Sequence, residues 1–287
     1  MAQSPNLSGK VCLITGATQG IGRITARELA KLGPTMVLVV RDEQRGRELA
    51  DELRAAGNPH VELLVADLSS QAEVRRVAAE FLARHDRLDL LINNAGALFM
   101  ERQESVDGLE MTLALNHLGY FLLTNLLIDV LKKSAPARIV SVASRAHGRG
   151  TIRFDDLQSK RGYSGWPAYS QSKLANILFS NELARRLDGS GVTSNCLHPG
   201  VVATGFGKNN SGLMGFLVKL GAPFLRTPEK GAATILFLAQ SPEVEGVTGK
   251  YFADCKSIQP SLEARDQLVA KRLWQVSEQL TGLGKDS

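Results

Sequence analysis

The chain is poor in cysteine, in aromatic residues and in long apolar runs, and each shortage narrows what it does. Only three cysteines occur in 287 residues: Cys12, Cys196 and Cys255. The count is odd, no Cys-x-x-Cys pair is present and no zinc spacing appears, so no disulfide scaffold or metal site is expected. Cys12 and Cys196 sit in apolar, strand-like runs and read as buried free thiols. No run reaches the ~20 apolar residues of a membrane span. The longest, residues 118–131, is interrupted by Thr124, Asn125 and Asp129. The first ten residues hold no apolar signal core, so a cytoplasmic protein is expected. The charge excess is small, +5 with pI ≈ 9.2, and basic residues are scattered among acids. With no arginine-rich tract and no aromatic-basic interleaving, nucleic acid is not an expected partner.

What is present is an ordinary globular composition, 44% hydrophobic and 22% charged, enough for a sizeable core. Strand-like and helix-like segments alternate. Apolar or β-branched runs at 11–14, 36–40, 61–65, 88–92, 138–142, 192–197 and 249–253 predict strands. Helices are expected at 21–32, 43–56, 109–131 and 167–187, and from 227 to about 239 with Pro228 at its first position. A further helix opens at Ser70 with Glu73 completing a capping box, and carries Val74, Val77, Ala78, Phe81 and Leu82 on one face. Such alternation implies an α/β fold: a single Rossmann-type domain over 1–287, its parallel sheet doubly wound with helices on both faces. Residues 206–226 break the pattern. Their glycines, prolines and apolar side chains (Phe206, Leu213, Met214, Phe216, Leu217, Phe224) suggest either a substrate-loop insertion or ordinary core or dimer packing. Lys208, Lys219 and Arg226 also allow this segment to dock on a membrane surface.

Two motifs carry chemistry. After the first strand, Thr15-Gly16-Ala17-Thr18-Gln19-Gly20-Ile21-Gly22 forms a glycine turn that opens a helix. Glycine allows tight turns and close approach of phosphate, and a helix N-terminus offers free N–H groups. The spacing is Gly-x-x-x-Gly-x-Gly rather than the commoner Gly-x-Gly-x-x-Gly. Far downstream, Tyr169 and Lys173 lie four apart, so a helix puts phenol and ammonium on one face. Free tyrosine titrates near ~10. A positive charge nearby is expected to favour phenolate and make the group a useful acid-base catalyst. Together the motifs suggest hydride transfer to or from a nicotinamide, with Tyr169 handling the proton.

Other candidates lie at strand ends. Arg41 follows strand two, where arginine suits a 2′-phosphate and a carboxylate would suit a free ribose; Asp42 beside it leaves some ambiguity, and Arg23 is a second candidate cation. Asp67, before Leu68, either accepts from an adenine amino group or caps the next helix. Asn94, Ala95 and Gly96, after Asn93, can line the cofactor and tie strands together. Asn116, inside the long helix, either holds a water or is a satisfied structural amide. Ser144 can donate to a substrate carbonyl oxygen, with Ser141 as its rival. His147 reads as a loop histidine or pocket wall, not a base. His198-Pro199-Gly200 leads through Val202 to Thr204, which can reach a nicotinamide carboxamide.

In this order the motifs resemble those of the short-chain dehydrogenase/reductase family, over nearly the whole chain. Tyr169-Ser-Gln-Ser-Lys-Leu-Ala-Asn176, His198-Pro-Gly-Val-Val-Ala-Thr204 and Arg272-Leu-Trp-Gln-Val-Ser-Glu resemble its retinol-dehydrogenase-like branch. That branch carries arginine after strand two and mostly uses NADP(H); several animal members have an N-terminal membrane anchor, a segment not seen here. The resemblance implies a catalytic set of Asn116, Ser144, Tyr169 and Lys173. Tyr169 would be the acid in reduction and base in oxidation, and Lys173 would bind nicotinamide ribose hydroxyls. Ser144 would polarise the carbonyl, and Asn116 would hold a water feeding protons toward Lys173. Around the cofactor it places Gly16, Thr18, Gln19, Gly20, Ile21, Gly22, Arg41, Asp67, Leu68, Asn94, Ala95, Gly96, Tyr169, Lys173, Pro199, Gly200, Val202 and Thr204. The expected activity is an NADP(H)-dependent carbonyl reductase, reversible as an alcohol dehydrogenase, on a small apolar aldehyde, ketone or alcohol. The alternatives are a steroid or other lipid alcohol dehydrogenase, and a non-catalytic NADPH-binding regulator. Homodimers or homotetramers through helices 109–131 and 167–187 are expected from the same resemblance.

Overall fold

A computed structural model describes residues 6–200 and 227–283. The expected insertion at 206–226, and with it Val202 and Thr204, lies outside the described residues. The strands are β1 (Val11–Thr15), β2 (Thr35–Val40), β3 (Val61–Val65), β4 (Leu90–Asn93), β5 (Ala137–Val142), β6 (Val192–Leu197), β7 (Tyr251–Ala253) and β8 (Lys256–Ile258). They form one sheet in the order β3-β2-β1-β4-β5-β6-β7-β8. All neighbours are parallel except the antiparallel β7–β8 pair, which the sequence reading did not anticipate. The order reverses between β1 and β4, and in open α/β sheets ligands bind at such a reversal.

The helices are α1 (Gly20–Ala30), α2 (Glu43–Ala55), α3 (Gln71–Arg84), α4 (Met111–Leu113), α5 (Gly119–Leu126), α6 (Ile128–Lys133), α7 (Gly165–Arg186), α8 (Pro228–Gln240) and α9 (Gln267–Thr281). Four of these helices start at side-chain caps. Asp42 accepts from Arg45 N at 3.1 Å, Ser70 from Glu73 N at 3.4 Å, Thr227 from Lys230 N at 3.4 Å, and Asp266 from Leu268 N at 2.8 Å.

Strand side chains alternate between two cores. Val11, Leu13, Val37 and Val39 pack with Phe81, Phe121 and Phe179 on one face. Cys12, Ile14, Met36, Leu38 and Val40 pack with Leu29, Leu49 and Ile235 on the other. Cys12 and Cys196 are buried free thiols, as expected, and burial raises both; Cys196 is pushed up to about 12.

Two expectations need correction. Residues 109–131 are not one regular helix: α4 and α5 run on through a π turn at Ala114–Leu118, and the helix breaks at Leu127 before α6. Leu82 is not on the buried stripe of α3; it is 45% exposed, and the stripe ends with Phe81. Trp274 of α9 packs on Phe121 of α5 and Phe179 of α7, covering part of the outer face of these two helices. Among the described residues no helix is long and apolar enough to cross a membrane.

Candidate active site

Every described strand end that carries a candidate meets at the carboxyl edge of the sheet. The glycine turn between β1 and α1 has Gly16 at φ 70 and Gly20 at φ 55, a region L side chains rarely adopt. A Cβ on Gly16 would lie 2.7 Å from Ala95 Cα; one on Gly22 would run into the Gly16 carbonyl and lie 2.5 Å from Asn94 Nδ2. Thr18, Gln19 and Ile21 complete the turn. Gln19 precedes α1 without a side-chain cap, and the first turn of α1 carries no acid. The helix N-terminus therefore keeps its N–H groups and positive dipole end for an outside acceptor. A cradle with no room for a Cβ at Gly16 or Gly22, at an uncapped helix start, fits a dinucleotide pyrophosphate.

The neighbouring strand ends brace this cradle. Asn94 Nδ2 donates to Thr15 O at 2.9 Å and Gly16 O at 3.0 Å. Thr15 Oγ1 accepts from Asn94 N at 2.9 Å and Ala95 N at 3.0 Å. Thr15 was not singled out in the sequence, although a small hydroxyl residue directly before the first glycine was a visible signal.

At the β2 end, Arg41 is exposed and joins no ion pair among the described residues. Asp42 turns away from it to cap α2 and pair with Arg45 at 3.3 Å. Arg23 is engaged by Glu52 at 2.6 Å, so its charge is already balanced. Asp67 Oδ1 accepts from Ser69 N at 2.9 Å and Ser69 Oγ at 2.7 Å; the α3 cap is Ser70 instead. The Leu68 side chain lies in the core. Pro199 and Gly200 follow β6, with Gly200 at φ 81.

The acid-base group sits across the reversal. Tyr169 and Lys173 lie one turn apart on α7, both buried. The Ser144 hydroxyl is close enough to the Tyr169 phenol to favour its ionised form. Among the described residues Ser141, its rival, is fully buried without a hydrogen-bond partner. Lys173 Nζ donates to Val142 O at 3.1 Å and lies 5.7 Å from the centre of the Tyr169 ring. Burial pulls the lysine down to about 8. Burial also pushes the Tyr169 phenol up to about 12, and the Ser144 hydroxyl opposes this only in part. The expected lowering by Lys173 is therefore not found in the chain alone. The ammonium is held on a main-chain carbonyl, and desolvation of the phenolate outweighs its field.

Asn116 is brought to the same place by the π turn. Its Oδ1 accepts from Ala97 N and its Nδ2 donates to Ala97 O, both at 2.9 Å, and to Ser172 Oγ at 3.0 Å. Both amide atoms thus have protein partners. A Cβ on Gly96 would lie 3.0 Å from Asn116 Oδ1 and 3.3 Å from Lys173 Nζ, a tight fit that glycine relieves where the β4 loop approaches these side chains.

His147 is neither loop surface nor base. It is buried, Nδ1 donates to Ser144 O at 2.7 Å, and Nε2 accepts from Ser261 N at 3.3 Å. These partners fix the neutral tautomer, and burial lowers the ring's basicity. Tyr251 Oη bridges it to His198, at 3.2 Å and 2.8 Å. This bracket behind Ser144 was missed because its members are scattered over more than a hundred residues.

The chain matches the short chain dehydrogenase family over residues 10–212. It is 47% identical to human retinol dehydrogenase 14 (Homo sapiens), an alignment covering 97% of this chain and 88% of that protein. Among solved structures it resembles an uncharacterized protein from Mycobacterium Paratuberculosis, TM-score 0.79 and 35% identity over 98% of this chain and 96% of the other. It also resembles the Pseudomonas aeruginosa RhlG/NADP active-site complex, TM-score 0.70 and 29% identity over 88% and 97%. The chain belongs to the short-chain dehydrogenase/reductase family. Within it, the chain falls in the retinol-dehydrogenase-like branch.

Proposed function

We propose that this oxidoreductase uses NADP(H) to interconvert an apolar aldehyde or ketone and its alcohol. The observation that carries the proposal is the buried Tyr169–Lys173 pair, with Ser144 beside the phenol, next to a turn that leaves no room for a Cβ at Gly16 or Gly22. When bound, the nicotinamide supplies the hydride. The cradle of Gly16–Gly22 and the α1 N-terminus would hold its pyrophosphate, and Lys173 its ribose. Ser144 donates to the carbonyl oxygen, where charge grows during reduction. Tyr169 gives its proton to that oxygen in reduction and takes it back in oxidation. A phenol held protonated by burial is already in the form that reduction needs.

Preference for the phosphorylated cofactor rests on Arg41, exposed and without an ion-pair partner among the described residues, while Asp42 is spent on α2. An apolar substrate is supported by the retinol dehydrogenase relatives and by Trp166, 47% exposed with its ring 6.2 Å from that of Tyr169. The substrate-loop role of 206–226 and a cytoplasmic location belong to the same proposal. So does assembly as a homodimer or homotetramer.

The test is NADPH oxidation against apolar aldehydes and ketones, retinal-like and steroid substrates included, with NADH in parallel. Turnover faster with NADPH is expected. In Arg41→Ala the affinity for NADPH should fall much more than that for NADH; equal losses would contradict the assignment.

A further inference from the structure

The most fully enclosed element outside the sheet is α7. Every residue from Ala168 to Ser180 is buried, more than three turns with no side open to water. A helix lying on a sheet normally buries one stripe and exposes the other. The second side of α7 is closed by α9.

α9 is built for that contact. Ala270, Leu273, Trp274, Ser277 and Thr281 are buried on one face, and Asp266 and Gly282 cap its two ends. The Trp274 ring stacks on Phe179, centroids 5.8 Å apart and planes 23° apart, and meets Phe121 edge-on at 4.9 Å. The Arg186 guanidinium lies 4.1 Å from the Trp274 ring. Polar contacts fix the register. Ser277 Oγ lies 2.9 Å from Nε2 of His117 in the π turn. The carbonyls of Leu280 and Thr281, which a helix end leaves unpaired, accept from Gln71 Nε2 and Arg75 Nη2 on α3, each at 2.8 Å. The helix is thus tied to α3, to the π turn and to α7 at once.

We propose that α9 is an intramolecular substitute for a second copy of this chain: it occupies the outer face of α5 and α7, so the chain does not self-associate through these helices. The apolar surface that two copies would share, centred on Phe121 and Phe179, is already covered. A copy approaching this side would meet the outer face of α9, with the exposed Lys271, Gln275 and Gln279.

The test uses the full chain, with sedimentation analysis and hydrogen–deuterium exchange on the wild type, Trp274→Ala and Arg186→Ala. In the wild type α9 and the centre of α7 should exchange slowly. Arg186→Ala removes the cover over Trp274 and one of the two arginines paired with Glu182, Arg185 remaining, and should speed exchange in α9 while the sheet stays protected. Trp274→Ala should speed exchange in α9 and α7 together and promote self-association by uncovering Phe121 and Phe179. If Trp274→Ala fails to fold, Arg186→Ala alone decides through α9 exchange. A wild-type assembly unchanged in both variants would use another surface and support the proposal. It would be overturned by a wild-type assembly that Trp274→Ala dissociates, or by α9 amides exchanging like a frayed terminus while α7 stays protected.

Discussion

Tyr169 and Lys173 were legible as a pair because helical spacing alone places them on one face. Their protonation was not legible, since it depends on burial. The structure puts both against the sheet, where desolvation raises the phenol and lowers the ammonium. Ser144 could be singled out by its position after β5, whereas the bracket that holds it could not. His147 meets Ser144 O and Ser261 N, while Tyr251 joins it to His198 across long stretches of sequence. Unpairing a buried hydrogen-bonding group costs ~1–3 kcal/mol. His147→Phe keeps a ring but removes both bonds, so kcat should fall by roughly tenfold, about 1.4 kcal/mol of barrier. NADPH affinity should hardly change, and His147→Gln should recover part of the rate. Equal kcat in wild type and His147→Phe would remove His147 from the positioning of Ser144.

At the scale of elements, the parallel strands and their helices followed from periodicity, since β-branched runs such as Thr35–Val40 are buried on both faces. The π turn did not. Its sequence, Ala-Leu-Asn-His-Leu, has helical spacing, and only the bonds from Asn116 to Ala97 and Ser172 show why the helix widens there. α9 also went unread as a helix, although Asp266 and Gly282 marked its ends. The glycine turn was read correctly as a turn, and the structure adds how little room it has. Gly22→Ala would push a methyl into the Gly16 carbonyl and Asn94 Nδ2. Overpacking of this kind costs ~1–3 kcal/mol. The Kd for NADPH should rise by about tenfold as the cradle shifts, with the sheet intact by circular dichroism. Unchanged affinity would mean that the phosphate site lies elsewhere.

For the whole molecule, pH dependence follows from buried bases. Burial takes His117 down to about 4, and His147 moves in the same direction. Both stay neutral in the fold, while the unfolded chain takes up protons below the ordinary histidine value of about 6.5. The unfolded state thus binds more protons between about 6.5 and 4, and stability falls as pH falls through that window. For His117 the full loss is ~3 kcal/mol. Denaturant unfolding at neutral and mildly acid pH should show a shallower acid loss in His117→Gln than in the wild type. Identical slopes would contradict a neutral His117 in the fold. The sequence could not reveal this, since His117 reads there as one polar residue in an apolar helix. Its burial depends on α9, more than a hundred residues away.

The most direct test of the account is single-turnover reduction of an apolar aldehyde by NADPH in wild type and Tyr169→Phe, with NADPH affinity measured on both. The account predicts that the wild type reduces the aldehyde, and that Tyr169→Phe binds NADPH about as well but reduces almost none. Substantial reduction by Tyr169→Phe would contradict the claim that this phenol supplies the proton.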